Sequence, residues 1–327
     1  MSTLGPETDF QLLQHLLQTM RIGDEATADK LFIENPQLQD LPFLICLMKA
    51  LQIGAEPLAH ELLTEKPHLR KLAFRKLSLT PLLGAFHYNP KGCSEDLFRE
   101  LLAPPTDINA QQEEGWGIIH YLANRVGLLG ILLDQKEIKV NLLNNKKESA
   151  LAFAANCYCN NEAVALLLKN GADYWLADEQ GRLPIHWACF RVDLESVSLL
   201  LKKDPNLMTA QDLNGNTPAH YLTQAPLPKD PKLASEFEEK RKAIAALFSQ
   251  TSLAIENNEG VTQSEMAHYF GHEALAAQLK QKEFLTLYQR CQKAICAKYK
   301  VTGFEEAKAL LPKEVVNALE TRKALLF

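Results

Sequence analysis

One six-residue phrase occurs twice in this chain. Gly181-Arg182-Leu183-Pro184-Ile185-His186 returns 34 residues later as Gly215-Asn216-Thr217-Pro218-Ala219-His220. A unit of that length cannot bury its own apolar face, so successive units must stack and cover one another instead of closing round a single core. A stacked array is the expectation that every later observation has to meet.

The unit has a physical logic. Asp212, Asn214 and Gly215 supply turn chemistry, Thr217 suits an N-cap, and Pro218 suits the first helical turn, where its missing N–H costs nothing. The spacing predicts short helices starting at Pro184 and at Pro218. A second apolar run follows the first of them, clearest in Val197, Leu199, Leu200 and Leu201, and ends at Lys202-Lys203-Asp204-Pro205. Each unit therefore reads as turn, helix, helix, stop.

In its order of parts the unit resembles the ankyrin repeat. Residues 215–220 match that family's G-x-T-P-L-H phrase, and Leu166-Leu167-Leu168-Lys169-Asn170-Gly171-Ala172-Asp173 matches its L-L-x-x-G-A-D ending. The resemblance implies an all-α fold: an ankyrin-repeat solenoid with short β-hairpin fingers and helical caps at both ends. It also implies a structural role for the motif histidines His120, His186 and His220, which would bond within and between adjacent fingers.

Further units are legible along the chain. One opens at Leu79-Thr80-Pro81 and ends at Asp107-Ile108-Asn109-Ala110, the next opens at Gly115-Trp116-Gly117, and another opens at Ser149-Ala150-Leu151 and closes at Gly171-Ala172-Asp173. Residues 259–273 resemble a terminal repeat. Residues 1–77 show a degenerate 31-residue register, with Gly23 set against Gly54 and Asn35-Pro36 against Lys66-Pro67, and are expected to form helical hairpins that cap the array. An F-box start at Leu41-Pro42 is the weaker account of the same residues. Residues 78–280 are expected to be the ankyrin repeats, and residues 281–327 a C-terminal helical cap with an apolar face that includes Phe284, Leu287, Tyr288 and Cys291.

Gly215 and Gly260 stand 45 residues apart, so this unit carries an extra segment at about residues 224–240. Pro226, Pro228 and Pro231 forbid a continuous helix across it, and a helix is expected from Ser235. A tolerated surface insertion explains it more simply than a contact loop.

Several function classes have no support. The formal charge of -5 gives no general attraction to nucleic acid. No apolar run reaches the length of a membrane span, and the first residues lack the pattern of a cleavable export signal. Seven cysteines at irregular spacing suit a reducing compartment, and no Cys/His cluster has metal-site spacing. No phosphate loop, kinase signature, nucleophile elbow or H-E-x-x-H is present. The protein is expected to be a soluble monomer with no cofactor, no metal and no catalytic residue. Cys189, three residues after His186, is the nearest approach to a thiol nucleophile beside a base, and nothing orients the pair.

Candidate contact residues follow from the register. Tyr121, Phe153, Trp187 and Tyr221 hold one position in four successive units, and the resemblance would stack them as an aromatic ladder on the concave face. Packing among themselves is one account of these rings; partial exposure would make them rigid binding anchors. Finger tips would add selectivity through Lys146, Lys147, Arg182 and Asn214, with Trp116 as an unusually large tip residue.

The function implied is non-catalytic recognition of a protein partner. The weak N-terminal repeats, the insertion, and a tail with Glu305-Glu306, Glu314 and terminal Ala324-Leu325-Leu326-Phe327 resemble ankyrin-type effectors that intracellular bacteria deliver by type IV secretion. That setting would place the protein in a host cytosol, bound to a host protein. A cytoplasmic adaptor of eukaryotic type and an effector enzyme with a cysteine-based site are the alternatives.

Overall fold

A computed structural model describes residues 41–72, 80–87, 89, 92–157, 160–248 and 255–280. The expected tail at 281–327 and the first 40 residues of the expected N-terminal cap lie outside the described residues. The chain divides into two compact units, residues 1–150 with 169–172, and residues 151–168 with 173–327.

In the first unit the helices come in pairs. They are α1 (Leu41–Ile53), α2 (Glu56–Glu65), α3 (Pro81–His87), α4 (Glu95–Leu102), α5 (Ile118–Tyr121) and α6 (Val126–Leu133). The first member of each pair packs on the first member of the next, α1 on α3 and α3 on α5, and the second members do the same, α2 on α4 and α4 on α6. Helix α4 shows how the sequence sets this up. Ser94 caps it by accepting the Leu97 N–H, Glu95 and Asp96 favour its N-terminus, and Leu97, Phe98, Leu101 and Leu102 form one buried stripe.

The second unit repeats the plan. It holds all but the first residue of α7 (Ala150–Ala155), all but the last residue of α8 (Asn161–Lys169), and then α9 (Pro184–Phe190), α10 (Leu194–Lys203), α11 (Pro218–Gln224), α12 (Pro231–Leu247) and α13 (Gln263–Tyr269). Helices α9 and α11 begin at Pro184 and Pro218, where the spacing puts them. Helix α9 packs on α11, α11 on α13, and α10 on α12.

The extra segment is helical earlier than expected. Asp230 accepts the Lys232 N–H and caps α12, so Pro231 sits in the first turn, where proline is tolerated, instead of breaking the helix. Arg241 pins this helix from a fully buried position. Its guanidinium donates to the Ala225 carbonyl at 2.5 Å, to Glu238 at 2.7 Å and to His272 Nδ1 at 2.9 Å.

The β-hairpin fingers are a correction. Among the described residues no strand ladder forms; each finger is one tight turn, and two of them carry a single antiparallel pair, at Gln111–Gly117 and at Leu143–Ser149. The reason is length. After the turn only one or two residues remain before the next helix begins, too few to extend a ladder. Among the described residues no helix is long and apolar enough to cross a membrane.

Candidate functional site

The fingers share one construction. Asn144, Asp178, Asp212 and Asn257 each stand three residues before the left-handed position of their turn, and each uses one side-chain oxygen to accept two main-chain N–H groups. Asp178 takes those of Gln180 and Arg182, Asp212 those of Asn214 and Asn216, and Asn257 those of Glu259 and Val261, all at 2.8 to 3.0 Å. Asn144 does the same for Lys146 and Glu148. Such side-chain turns hold a finger without needing strands.

Adjacent fingers are then tied to each other. The N–H of Asn145 donates to the Glu114 carbonyl in the first unit; in the second, Leu213 donates to Gln180 and Asn258 to Asn214, at 2.9 to 3.1 Å. The close approach leaves no room for a side chain at Gly215, where a Cβ would lie 2.7 Å from the Asn258 nitrogen.

The motif histidines clamp finger to helix. In His186, Nδ1 accepts the Leu183 N–H at 2.9 Å, which places the proton on Nε2, facing the Ala210 carbonyl at 3.3 Å. His220 accepts from Thr217 N–H at 3.0 Å and reaches the Val261 carbonyl at 3.1 Å; His120 joins Gly117 to Glu148 in the same way. Burial lowers the pKa of all three, that of His186 to about 4. In the next unit Glu265 replaces the histidine, its carboxylate accepting the Thr262 N–H at 3.0 Å.

Upon this frame the second unit carries an aromatic pair. Trp187 on α9 and Tyr221 on α11 are half-buried, with ring centroids 6.5 Å apart. The Arg182 guanidinium lies 4.3 Å above the Trp187 ring and is held there by Asp178, 2.7 Å from its Nε. The Tyr221 hydroxyl donates to Asp212 at 2.8 Å, and burial together with this bond raises its pKa. Phe153, on α7, is half-buried as well.

The other candidates separate by unit. Tyr121 and Trp116 belong to the first, where their rings pack at 5.7 Å and the Tyr121 hydroxyl bonds His87 Nδ1 at 2.9 Å. Trp116 also meets the His120 ring at 5.9 Å, so it is packed along one side and not a bare tip residue. Lys146 and Lys147 are exposed in the first unit, and Asn214 in the second.

Sequence reasoning missed Met266, which continues the Trp187 and Tyr221 position on α13. It also missed a 380 Å³ pocket bounded by Met266, Gln224 and the residues of two fingers, Asn214, Asn216, Asn257, Asn258 and Glu259. The 34-residue register, carried across the insertion, could have placed Met266. The pocket was harder to see, because its two fingers are 45 residues apart in the chain.

Among the described residues, burial works against three of the cysteines as nucleophiles. Cys189 is wholly buried and its thiol is pushed well above its ordinary pKa; Cys157 is also raised by burial, and Cys93 is pushed up to about 12. Among the described residues no group of three or more His, Cys, Asp or Glu side chains is placed to hold a metal ion.

Paired helices joined by tight fingers, with a buried histidine clamping three of the junctions, are the arrangement that the resemblance to ankyrin repeats implies. Residues 150–201 match the family described as ankyrin repeats (many copies). The chain is similar to human "Ankyrin and armadillo repeat-containing protein", 34% identical over 110 residues, which is 32% of this chain and 8% of that protein. Human inversin is 33% identical over 88 residues, covering 25% of this chain and 8% of its own length. A probable serine/threonine-protein kinase of Dictyostelium discoideum is 30% identical over 142 residues, 39% of this chain and 16% of that one. The chain thus spans a small part of the curated relatives it matches, all three of them eukaryotic.

Proposed function

We propose that this protein recognises a partner protein without catalysing a reaction, acting as a monomer through the first helices and fingers of its repeats. One observation carries the reading: Trp187 and Tyr221 are partly exposed rings whose polar neighbours are already in place. Arg182 covers one ring and Asp212 holds the other, so binding would order little that is not ordered already. Aromatic side chains in such settings dominate interface energies, within a total burial on the order of 1,600 Å² for a stable complex. Phe153, Arg182 and Asn214 would extend the contact within the second unit; Tyr121, Trp116, Lys146 and Lys147 are the candidate contact residues of the first. No cofactor and no nucleic acid is implied.

A non-catalytic role is supported by the buried thiol of Cys189. The eukaryotic relatives favour a cytosolic adaptor over a delivered effector. The effector setting rests on residues 308–327, outside the described residues; deleting them in a delivery-reporter fusion must abolish translocation for that setting to hold.

Affinity capture from eukaryotic cell lysate tests the recognition itself. The parent chain and a Trp187→Ala/Tyr221→Ala variant, matched for thermal unfolding, are compared. A partner held by the parent and lost by the folded variant supports the reading; a partner held equally by both removes the aromatic pair from the site.

A further inference from the structure

The pocket beside Met266 is lined by carboxamides and one carboxylate, with no basic side chain among its lining residues. Asn257 spends its Oδ1 on the Glu259 and Val261 N–H groups, which turns its Nδ2 to donate to Asn216 Oδ1 at 3.1 Å. Asn258 donates its Nδ2 to the Leu213 carbonyl at 2.9 Å. Gln224 directs its Nε2 at the Met266 sulfur, 3.3 Å away. Each of these bonds engages one N–H of its amide. Bordering the 380 Å³ space are the Glu259 carboxylate and the carboxamides of Asn214, Asn258 and Gln224, each of which has an oxygen able to accept.

Charge points the same way. Residues 256–273, which supply one finger and α13, contain Glu256, Glu259, Glu265 and Glu273 and neither lysine nor arginine. The Met266 thioether adds an apolar, adaptable surface for an alkyl stem. Leu213, 69% exposed on the neighbouring finger, adds apolar area nearby.

We propose that this pocket receives the arginine side chain of a protein partner's exposed segment. A guanidinium carries five N–H donors in a rigid fork and accepts nothing, which suits a space lined by one carboxylate and several carboxamide oxygens and by no basic side chain. Its stem would lie along Met266 while the fork meets Glu259 and the carboxamide oxygens. A lysine ammonium, with three donors at one point, would satisfy fewer of the separated acceptors. The inference rests on the recognition role proposed above and specifies one contact within it.

The test uses the full chain and three pools of capped heptapeptides with random flanks, the central residue fixed as arginine, lysine or citrulline. Citrulline keeps the shape of arginine and removes its charge. Fluorescence anisotropy is expected to show the arginine pool binding about tenfold tighter than the citrulline pool, with lysine between them, and losing affinity as salt rises. Glu259→Gln, an exposed change that leaves the fold intact by thermal melting, is expected to remove most of that preference. Equal binding of arginine and citrulline pools overturns the pocket assignment while leaving partner recognition standing, provided Trp187→Ala/Tyr221→Ala still weakens both. No binding by any pool overturns the assignment too, and the lysate capture then decides the broader reading on its own.

Discussion

The hydroxyl of Tyr221 donates to Asp212 Oδ2 at 2.8 Å, while Asp212 Oδ1 accepts the N–H groups of Asn214 and Asn216. One carboxylate thus builds a finger and orients the ring that the finger overlooks. The two roles can be separated by mutation. Tyr221→Phe removes one hydrogen bond to a charged acceptor at a half-buried site and is expected to cost about 1 kcal/mol. Asp212→Ala deprives the finger of both main-chain contacts as well and is expected to cost roughly 2 to 3 kcal/mol. Urea unfolding followed by circular dichroism measures both; equal losses would mean that the finger holds its shape without Asp212.

The left-handed turn position yields a second prediction, of opposite sign at two sites. Gly115, Gly181, Gly215 and Gly260 occupy it with φ between 73° and 80°, and in the finger between Gly115 and Gly181 it is filled by Lys147 at φ 58°. A side chain there strains the backbone, so Lys147→Gly should stabilise the protein by about 1 kcal/mol. Gly215→Ala should do the reverse and cost more, because its Cβ would also press on the Asn258 nitrogen at 2.7 Å. Thermal melting of both variants checks the pair, and a Lys147→Gly variant less stable than the parent would show that the lysine side chain makes a compensating contact.

How far the sequence can be read depends on how local the signal is. Pro184 and Pro218 mark helix starts because a proline's preference for the first turn is a property of the residue itself, whereas the histidine clamps are legible only through the resemblance to ankyrin repeats. Pro231 misled for a related reason. As one of three prolines it looks like a breaker, and only the preceding Asp230, capping by a two-residue contact, makes it a start. Lys147 sits in a glycine position, yet its residue type hides the conformation it adopts. The fingers' expected strands failed on a count of residues between turn and helix. The pocket depended on two fingers that the insertion separates in sequence and that the Asn258–Asn214 bond brings together in space.

Thiol chemistry discriminates binding from catalysis. Cys189 is wholly buried on α9 with its pKa well above the ordinary value, whereas Cys46 on α1 is exposed. Iodoacetamide at neutral pH, read by peptide mass mapping, should label Cys46 within the time that Cys189 stays untouched, and should reach Cys189 only after denaturation. Rapid labelling of Cys189 in the folded protein would reopen the enzyme reading.

Acid should loosen the repeats at the histidine clamps. His120, His186 and His220 are each neutral in the folded state, because Nδ1 accepts a main-chain N–H and burial disfavours the cation. Their folded pKa values lie below the unfolded value near 6.5, so the unfolded chain takes up protons first as pH falls. Above that value the clamps add no pH dependence; below it stability declines until the folded pKa is reached. For His186, with a folded value of about 4, the loss between pH 7 and pH 4 is about 3 kcal/mol. Unfolding midpoints between pH 7.5 and 4.5 should therefore fall as pH drops through 6.5, and His186→Gln should flatten the slope while lowering stability at pH 7. A variant with the parent's slope would show that the decline comes from other groups.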